Sequence, residues 1–163
     1  MRETIGSTWI FQLVIVFILL FTSYLALTIN YSKSFKVKNE VISIIERNEG
    51  LTDNGIKLVG SYLTGSSYNT MGHCPTGWIG AKNLEGAVNS LEYVSDSNTN
   101  YYYCIDKITG YHTVYPNRSY YKLRLFFKFD LPVLGQISTF NVDGQTSEID
   151  HTYDNDILYK EIS

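Results

Sequence analysis

Residues 9–29 read WIFQLVIVFILLFTSYLALTI, a run of 21 positions without a charged side chain. A helix of that length rises about 31 Å, close to the ~30 Å hydrocarbon thickness of a bilayer. The run therefore predicts one transmembrane helix. No second apolar run of comparable length follows it, so we expect a single membrane anchor that carries one domain.

The segment before the span reads MRETIGS, with Arg2 as its only basic side chain. It resembles the start of an export signal, which leaves two alternatives: cleavage by signal peptidase, or retention of the helix. Signal peptidase needs small residues at positions −3 and −1 of its site. Placing Ala26 at −1 puts the bulky Tyr24 at −3, so the sequence favours a retained helix.

Two patterns give opposite orientations for the domain that follows the span. Lys33, Lys36 and Lys38 outnumber Arg2, and the positive-inside rule then predicts a cytoplasmic domain. By contrast, the later region is rich in Tyr, Thr, Asn and Gly, as exported β domains are. We favour a domain outside the cytoplasmic membrane, with the cytoplasmic orientation as the alternative.

Cys74 and Cys104 are the only cysteines of the chain. Exported domains with one cysteine pair usually join it in a disulfide, so we expect this bond. Two reduced, buried thiols are one alternative. A zinc site formed by His73, Cys74, Cys104 and His112 is another, although two adjacent ligands fit tetrahedral geometry poorly.

Residues 30–48 continue the helical pattern after the span, with no Pro or Gly between Ser7 and Glu49. Apolar side chains recur at three- and four-residue spacing, as on one face of an amphipathic helix; they are Tyr31, Phe35, Val41, Ile42 and Ile45. Span and stalk are predicted to form one helix of about 40 residues, about 60 Å long. The apolar stripe needs a partner, most simply the chain's own domain.

The remainder predicts an α+β fold in which an antiparallel sheet of three to five strands follows a short helix. That helix covers residues 52–64, with Thr52 or Asp53 as its cap. The strands are predicted at residues 101–108, 120–131, 137–142 and 146–149, with a turn at Asp143-Gly144. We divide the chain into residues 1–50, the leader, membrane helix and stalk, and residues 51–163, the domain.

Catalytic patterns are absent from the sequence, so we predict no enzyme activity, no cofactor and no metal. His73, His112 and His151 are far apart and belong to no known catalytic motif. A net charge of −3 does not indicate nucleic acid as a partner. A basic segment at 118–128 and an acidic one at 143–161 could pair, but the sequence favours two solvated faces. Neighbouring tyrosines at 101–103 and 120–121 favour packing within the sheet.

A short polar leader with Gly6, an apolar helix that continues as a stalk, and a C-terminal β domain resemble the type IV pilin superfamily. Within it, the chain is most similar to TadE-like minor pilins, or pseudopilins, of tight-adherence pilus systems in Gram-positive bacteria. The resemblance covers residues 1–50 well and the remainder only as an order of elements.

In that family, a prepilin peptidase cuts after the leader glycine, which implies a cut between Gly6 and Ser7. The family has Glu five residues into the mature chain, where this sequence has Phe11, with Gln12 as the nearest polar residue. That Glu is thought to pair with a neighbour's amine, whereas Gln offers only a neutral hydrogen bond. The resemblance therefore implies a minor, tip or assembly subunit, with Gln12 as the assembly residue.

Two functions are compatible with these patterns. In the first, the chain is a non-enzymatic pilus subunit whose partners are membrane lipid, other pilin-like subunits and a pilus assembly platform. In the second, it is a surface protein that uses the helix as an anchor and the β domain to bind a ligand.

Overall fold

The computed structural model describes the backbone of residues 2–96, 98–109, 118–131 and 135–150. Side chains are described for the same residues apart from 2–7, 88 and 129–138. Several predicted features lie outside these ranges. They are the bend at Pro132, the histidines His112 and His151, and most of the acidic segment at 143–161.

Helix α1 runs without a break over Arg2–Arg47, 46 residues, which corresponds to about 69 Å. The predicted continuity of membrane segment and stalk is therefore confirmed. Within the described residues, α1 is the one helix that is long and apolar enough to cross a membrane.

Helix α2 covers Asp53–Gly65, as predicted. Thr52 is its N-cap, because its Oγ1 accepts a hydrogen bond of 3.1 Å from the N–H of Gly55. Such a bond satisfies one of the donors that a helix start leaves unpaired. Ile56, Val59 and Leu63 lie on the buried face of this helix.

Eight strands follow within the described ranges. In chain order they are β1 Gly72–His73, β2 Ile79–Ala81, β3 Leu91–Tyr93, β4 Asn100–Tyr101, β5 Tyr103–Thr109, β6 Arg118–Leu131, β7 Gly135–Gln145 and β8 Ile149–Asp150. The main antiparallel sheet has the order β3-β2-β5-β6-β7, and β8 pairs with the start of β6. Strands β1 and β4 form a separate antiparallel pair.

The main sheet thus has six strands, more than the three to five that the sequence predicted. The long strands β5, β6 and β7 lie where alternation predicted them. Strands β2 and β3 have three residues each, which is too short for an alternating pattern to be visible.

The turn predicted at Asp143-Gly144 is wrong, because both residues lie inside β7. They pair with Arg124 and Leu123 of β6. A Cβ on Gly144 would stand only 2.6 Å from Cδ1 of Ile42 in α1. The glycine therefore serves the close approach of helix and sheet.

The main core lies between one face of the sheet and the two helices. Its members are buried apolar side chains from α1 (Val37, Val41, Ile45), α2 (Ile56, Val59, Leu63) and the sheet (Tyr103, Ile105, Tyr121, Leu123, Leu125). Of the predicted stalk stripe, Val41 and Ile45 are buried on the chain's own domain and Ile42 packs against the core, as predicted. Phe35 is half-buried and Tyr31 is 53% exposed, so the prediction is wrong for the membrane-proximal end of the stripe. Tyr103 and Tyr121 are buried in this core, which confirms the packing role expected for these two tyrosines.

A second cluster covers the opposite face of the sheet. It consists of Cys74, Val94, Tyr101, Cys104 and Phe126, with the half-buried Trp78 at its rim. Phe126 interrupts the otherwise polar face of β6, and this interruption is the sequence signal for a covered second face. The sheet is therefore sandwiched between a helical layer and a smaller layer of loops.

The hydroxyl group of Tyr68 joins two strands at the point where their ladder ends. Tyr103 and Leu125 form the last β5–β6 pair. Beyond it, the Tyr68 hydroxyl donates to the carbonyl of Tyr102 (2.6 Å) and accepts from the N–H of Phe126 (2.8 Å). Burial raises the pKa of this phenol far above its usual range, so it stays neutral and keeps its donor.

Replacing Tyr68 with Phe should lower the free energy of unfolding by about 1–3 kcal/mol, because two buried backbone groups lose their partner. Urea unfolding of the full chain in detergent micelles measures the change. Tyr93→Phe is the matched control, because the Tyr93 side chain is 49% exposed and should tolerate the substitution. Equal losses in the two variants would contradict the bridging role.

Candidate functional site

The lower half of α1 presents an apolar surface that no described part of the domain covers. Trp9 is 74% exposed, Phe11 67% and Leu20 66%. An apolar surface of this extent is not stable in water. This surface belongs to the part of α1 that is long and apolar enough to cross a membrane.

Gln12 lies within this apolar surface, beside Trp9, Leu13 and Val16. Other polar groups of the segment bond to the helix itself: Thr22 donates to the carbonyl of Ile18 at 3.0 Å. The Gln12 amide makes no hydrogen bond to any residue that the structure describes. An amide in lipid gains from a partner on another helix. The predicted role of Gln12 in assembly stays a prediction.

Gly6 and Ser7 lie in the first two turns of α1. Gly6 precedes Gln12 by about 9 Å along the helix axis. The two residues are therefore on the same element as Gln12, at its membrane-entry end. Their role in processing stays a prediction.

Cys74 and Cys104 form a disulfide, with their Cα atoms 5.6 Å apart. Both residues are buried, and the bond ties the loop between β1 and β2 to strand β5. The predicted bond is confirmed. The reduced alternative is wrong, and the zinc alternative loses two of its four ligands because both sulfur atoms are already bonded.

Arg124 lies beside the second cluster, which contains the disulfide, and two side chains hold its guanidinium in place. Its guanidinium makes two hydrogen bonds of 2.7 Å to the carboxylate of Asp143 on β7 and lies 5.5 Å from the ring centre of Trp78. The hydrogen bonds from Arg124 lower the pKa of the Asp143 carboxyl, so the pair remains charged at neutral pH. The position is fixed by register, because Arg124 and Asp143 are cross-strand partners.

Two arginines of the basic segment, Arg118 and Arg124, are therefore paired with the start of the acidic one rather than solvated apart from it. Arg118 also lies 3.6 Å from Glu148 and 3.9 Å from Asp150. The sequence favoured two solvated faces, and that interpretation is wrong for these residues. The cause is the pairing of β6 with β7 and β8, which brings the two segments side by side.

A depression of about 400 Å³ lies beside Arg124 and Phe126, on the face of the sheet that carries the second cluster. Its lining combines aromatic, amide and basic side chains: Met71, His73, Asn100, Arg124, Phe126, Thr139, Phe140 and Asn141. Within the described ranges, no group of three or more His, Cys, Asp or Glu residues is arranged to hold a metal ion. The aromatic, amide and basic side chains of the lining can stack on and hydrogen-bond a ligand, and none of the described lining residues is a carboxylic acid.

No family model matches this chain, and comparisons with curated proteins and with solved structures found no match either.

Replacing Cys74 with Ser should lower the free energy of unfolding by about 3.5 to 4 kcal/mol, the chain-entropy value for a loop near 30 residues. Thermal unfolding measures the loss. The double variant Cys74→Ser/Cys104→Ser is the control, and it should lose no more than the single variant. Alkylation of the unreduced, unfolded protein from intact cells should label neither thiol. Labelling of both would contradict the bond in the cell.

Proposed function

We propose that the chain is a non-enzymatic minor pilin-like or pilus-assembly subunit, anchored by one transmembrane helix with its domain outside the cytoplasmic membrane. The observation that carries this proposal is the difference between the two halves of α1. Its first half exposes apolar side chains on every side, and its second half is built into the core of the domain.

This arrangement couples the membrane segment rigidly to the domain. Val37, Val41 and Ile45 are at most 5% exposed, and the helix has no break between Ile29 and Asn30. A flexible linker would suit a simple anchor equally well. A continuous helix is needed when the domain must keep a fixed position relative to neighbouring subunits.

The outer face of the stalk also supports contacts with neighbours. Opposite the buried stripe lie exposed Lys36, Asn39 and Arg47, with Ser43 half-buried between them. These side chains are polar, so stalks would meet through hydrogen bonds and charges above the membrane and through apolar packing within it. The proposed partners are membrane lipid, other pilin-like subunits and an assembly platform, with a prepilin peptidase acting at Gly6.

A second candidate function is a membrane-anchored surface module that binds a ligand. The depression beside the disulfide favours it, because Arg124 is stacked on Trp78 and fixed by Asp143 before any ligand arrives. Preorganised polar groups beside aromatic rings are typical of binding sites. In this case the helix would serve only as an anchor.

The Gln12 side chain provides the test between these functions. Gln12→Leu should weaken association with other pilus components by about 1 kcal/mol, because an interhelical hydrogen bond in lipid is lost. Gln12→Glu should preserve or strengthen association, because a carboxylate can meet a neighbour's amine. Co-purification from membranes is the readout.

Phe17→Leu is the matched control, since it changes an exposed apolar side chain of the same helix without changing a polar group. It should leave co-purification unchanged. Equal association of Gln12→Leu and the parent chain would remove the support for assembly through this residue and favour the simple anchor.

Gly6→Val should leave the leader attached, because a prepilin peptidase must accommodate the residue before the cut and a branched side chain enlarges it. Mass spectrometry of the N-terminus measures the leader directly. Thr8→Val, beyond the predicted cut, is the control and should be processed like the parent chain. A full-length N-terminus in the parent chain itself would contradict processing.

A further inference from the structure

A polar cavity of about 400 Å³ lies between the stalk and the sheet, immediately above the membrane segment. Three separate parts of the chain line it. They are α1 (Asn30, Lys33, Ser34, Val37), the turn after α2 (Ser66, Ser67, Tyr68, Asn69, Thr70) and strand β6 (Phe127, Lys128). The cavity is therefore formed only when helix and sheet pack together.

The height of the cavity is set by the helix. Asn30 directly follows the last residue of the apolar run, and Val37 lies about 11 Å further along the axis. The headgroup layer of a bilayer is about 5–7 Å thick on each side. The lower part of the cavity thus lies at the level of the lipid headgroups.

The charge of the lining is one-sided. Among the described lining residues, Lys33 and Lys128 are basic and none is acidic. Both lysines are exposed, and neither forms an ion pair with a described carboxylate. Two lysines from different elements therefore line one polar space whose described lining holds no acidic residue.

The remaining donors of the cavity are side chains. The backbone N–H groups of Ser66, Ser67 and Tyr68 are already bonded to carbonyls at the end of α2, and the Ser66 hydroxyl donates to Leu63. The hydroxyl groups of Ser34 and Tyr68 also donate to backbone carbonyls, those of Asn30 and Tyr102. The other hydroxyl and amide groups of the lining belong to Asn30, Ser67, Asn69 and Thr70. A lining that combines lysines with hydroxyl and amide donors suits the oxygens of a phosphate.

We propose that this cavity binds a phosphate group, carried by the headgroup of an anionic membrane lipid. The lipid tails would lie along the apolar half of α1 while the phosphate contacts Lys33 and Lys128. Bound in this way, a lipid bridges α1 and β6 at the membrane surface. The inference needs α1 to be in a membrane but does not depend on assembly into a pilus.

Native mass spectrometry of the full chain in detergent tests the proposal, with phosphatidylglycerol and phosphatidylcholine of identical acyl chains as probes. The parent chain should retain phosphatidylglycerol preferentially. Lys33→Gln and Lys128→Gln should each weaken its binding about fivefold, the effect expected for one lysine at an anionic surface. Lys33→Arg should retain binding because it keeps the charge.

Lys36→Gln is the matched control. Lys36 is exposed and one turn from Lys33 on the same helix, but it does not line the cavity, so its substitution should leave binding unchanged. Equal losses of phosphatidylglycerol binding in Lys36→Gln and Lys33→Gln would overturn the proposal that the cavity is the binding site. They would show that any basic side chain near the membrane attracts the anionic lipid equally. Equal retention of the two lipids by the parent chain would overturn it as well.

Inorganic phosphate distinguishes the source of the phosphate group. If millimolar phosphate fails to displace the bound lipid, the lipid headgroup is the ligand. If it displaces the lipid from the parent chain in proportion to its concentration, the same cavity binds free phosphate, and the assignment to a lipid is overturned.

Discussion

The packing of α1 against β6 and β7 is the contact on which the rest of the structure depends. Val37, Val41 and Ile45 are spaced four residues apart, so they form one stripe along the helix. Burying each of them contributes about 1.5–3 kcal/mol. The same packing requires a glycine at 144, because a Cβ there would lie 2.6 Å from Cδ1 of Ile42 and 2.8 Å from Cδ of Lys38 on α1.

The same contact also divides α1 into two halves with different surroundings. Below Asn30, α1 has no described domain surface against it, and its apolar side chains remain exposed. Above Asn30, one face is buried and the other is polar. In the proposed membrane arrangement, this single helix would meet hydrocarbon, the headgroup layer and the protein core in turn along its length.

Long elements could be predicted from the sequence, and short ones could not. Helix α1 and strand β6 have enough residues for their periods to be read, and Thr52 gave the start of α2. The turn assigned to Asp143-Gly144 shows the limit of local signals, since the requirement for Gly144 comes from Ile42, about 100 residues earlier in the chain. The disulfide was predicted from the cysteine pair and the expected export of the domain. The assembly role of Gln12 was implied by the resemblance to pilins and stays a prediction. The juxtamembrane cavity could not be predicted, because Lys33 and Lys128 become neighbours only through tertiary packing.

In the proposed membrane arrangement, the unbroken junction between Ile29 and Asn30 would tie the orientation of the domain to the bilayer. Transmembrane helices adjust to hydrophobic thickness by tilting, on average by about 20°. The stalk from Asn30 to Arg47 is about 26 Å long, so a tilt of that size would carry its tip about 9 Å sideways. A thinner membrane would therefore tilt the whole sheet toward the lipid surface, and a thicker membrane would hold it more upright.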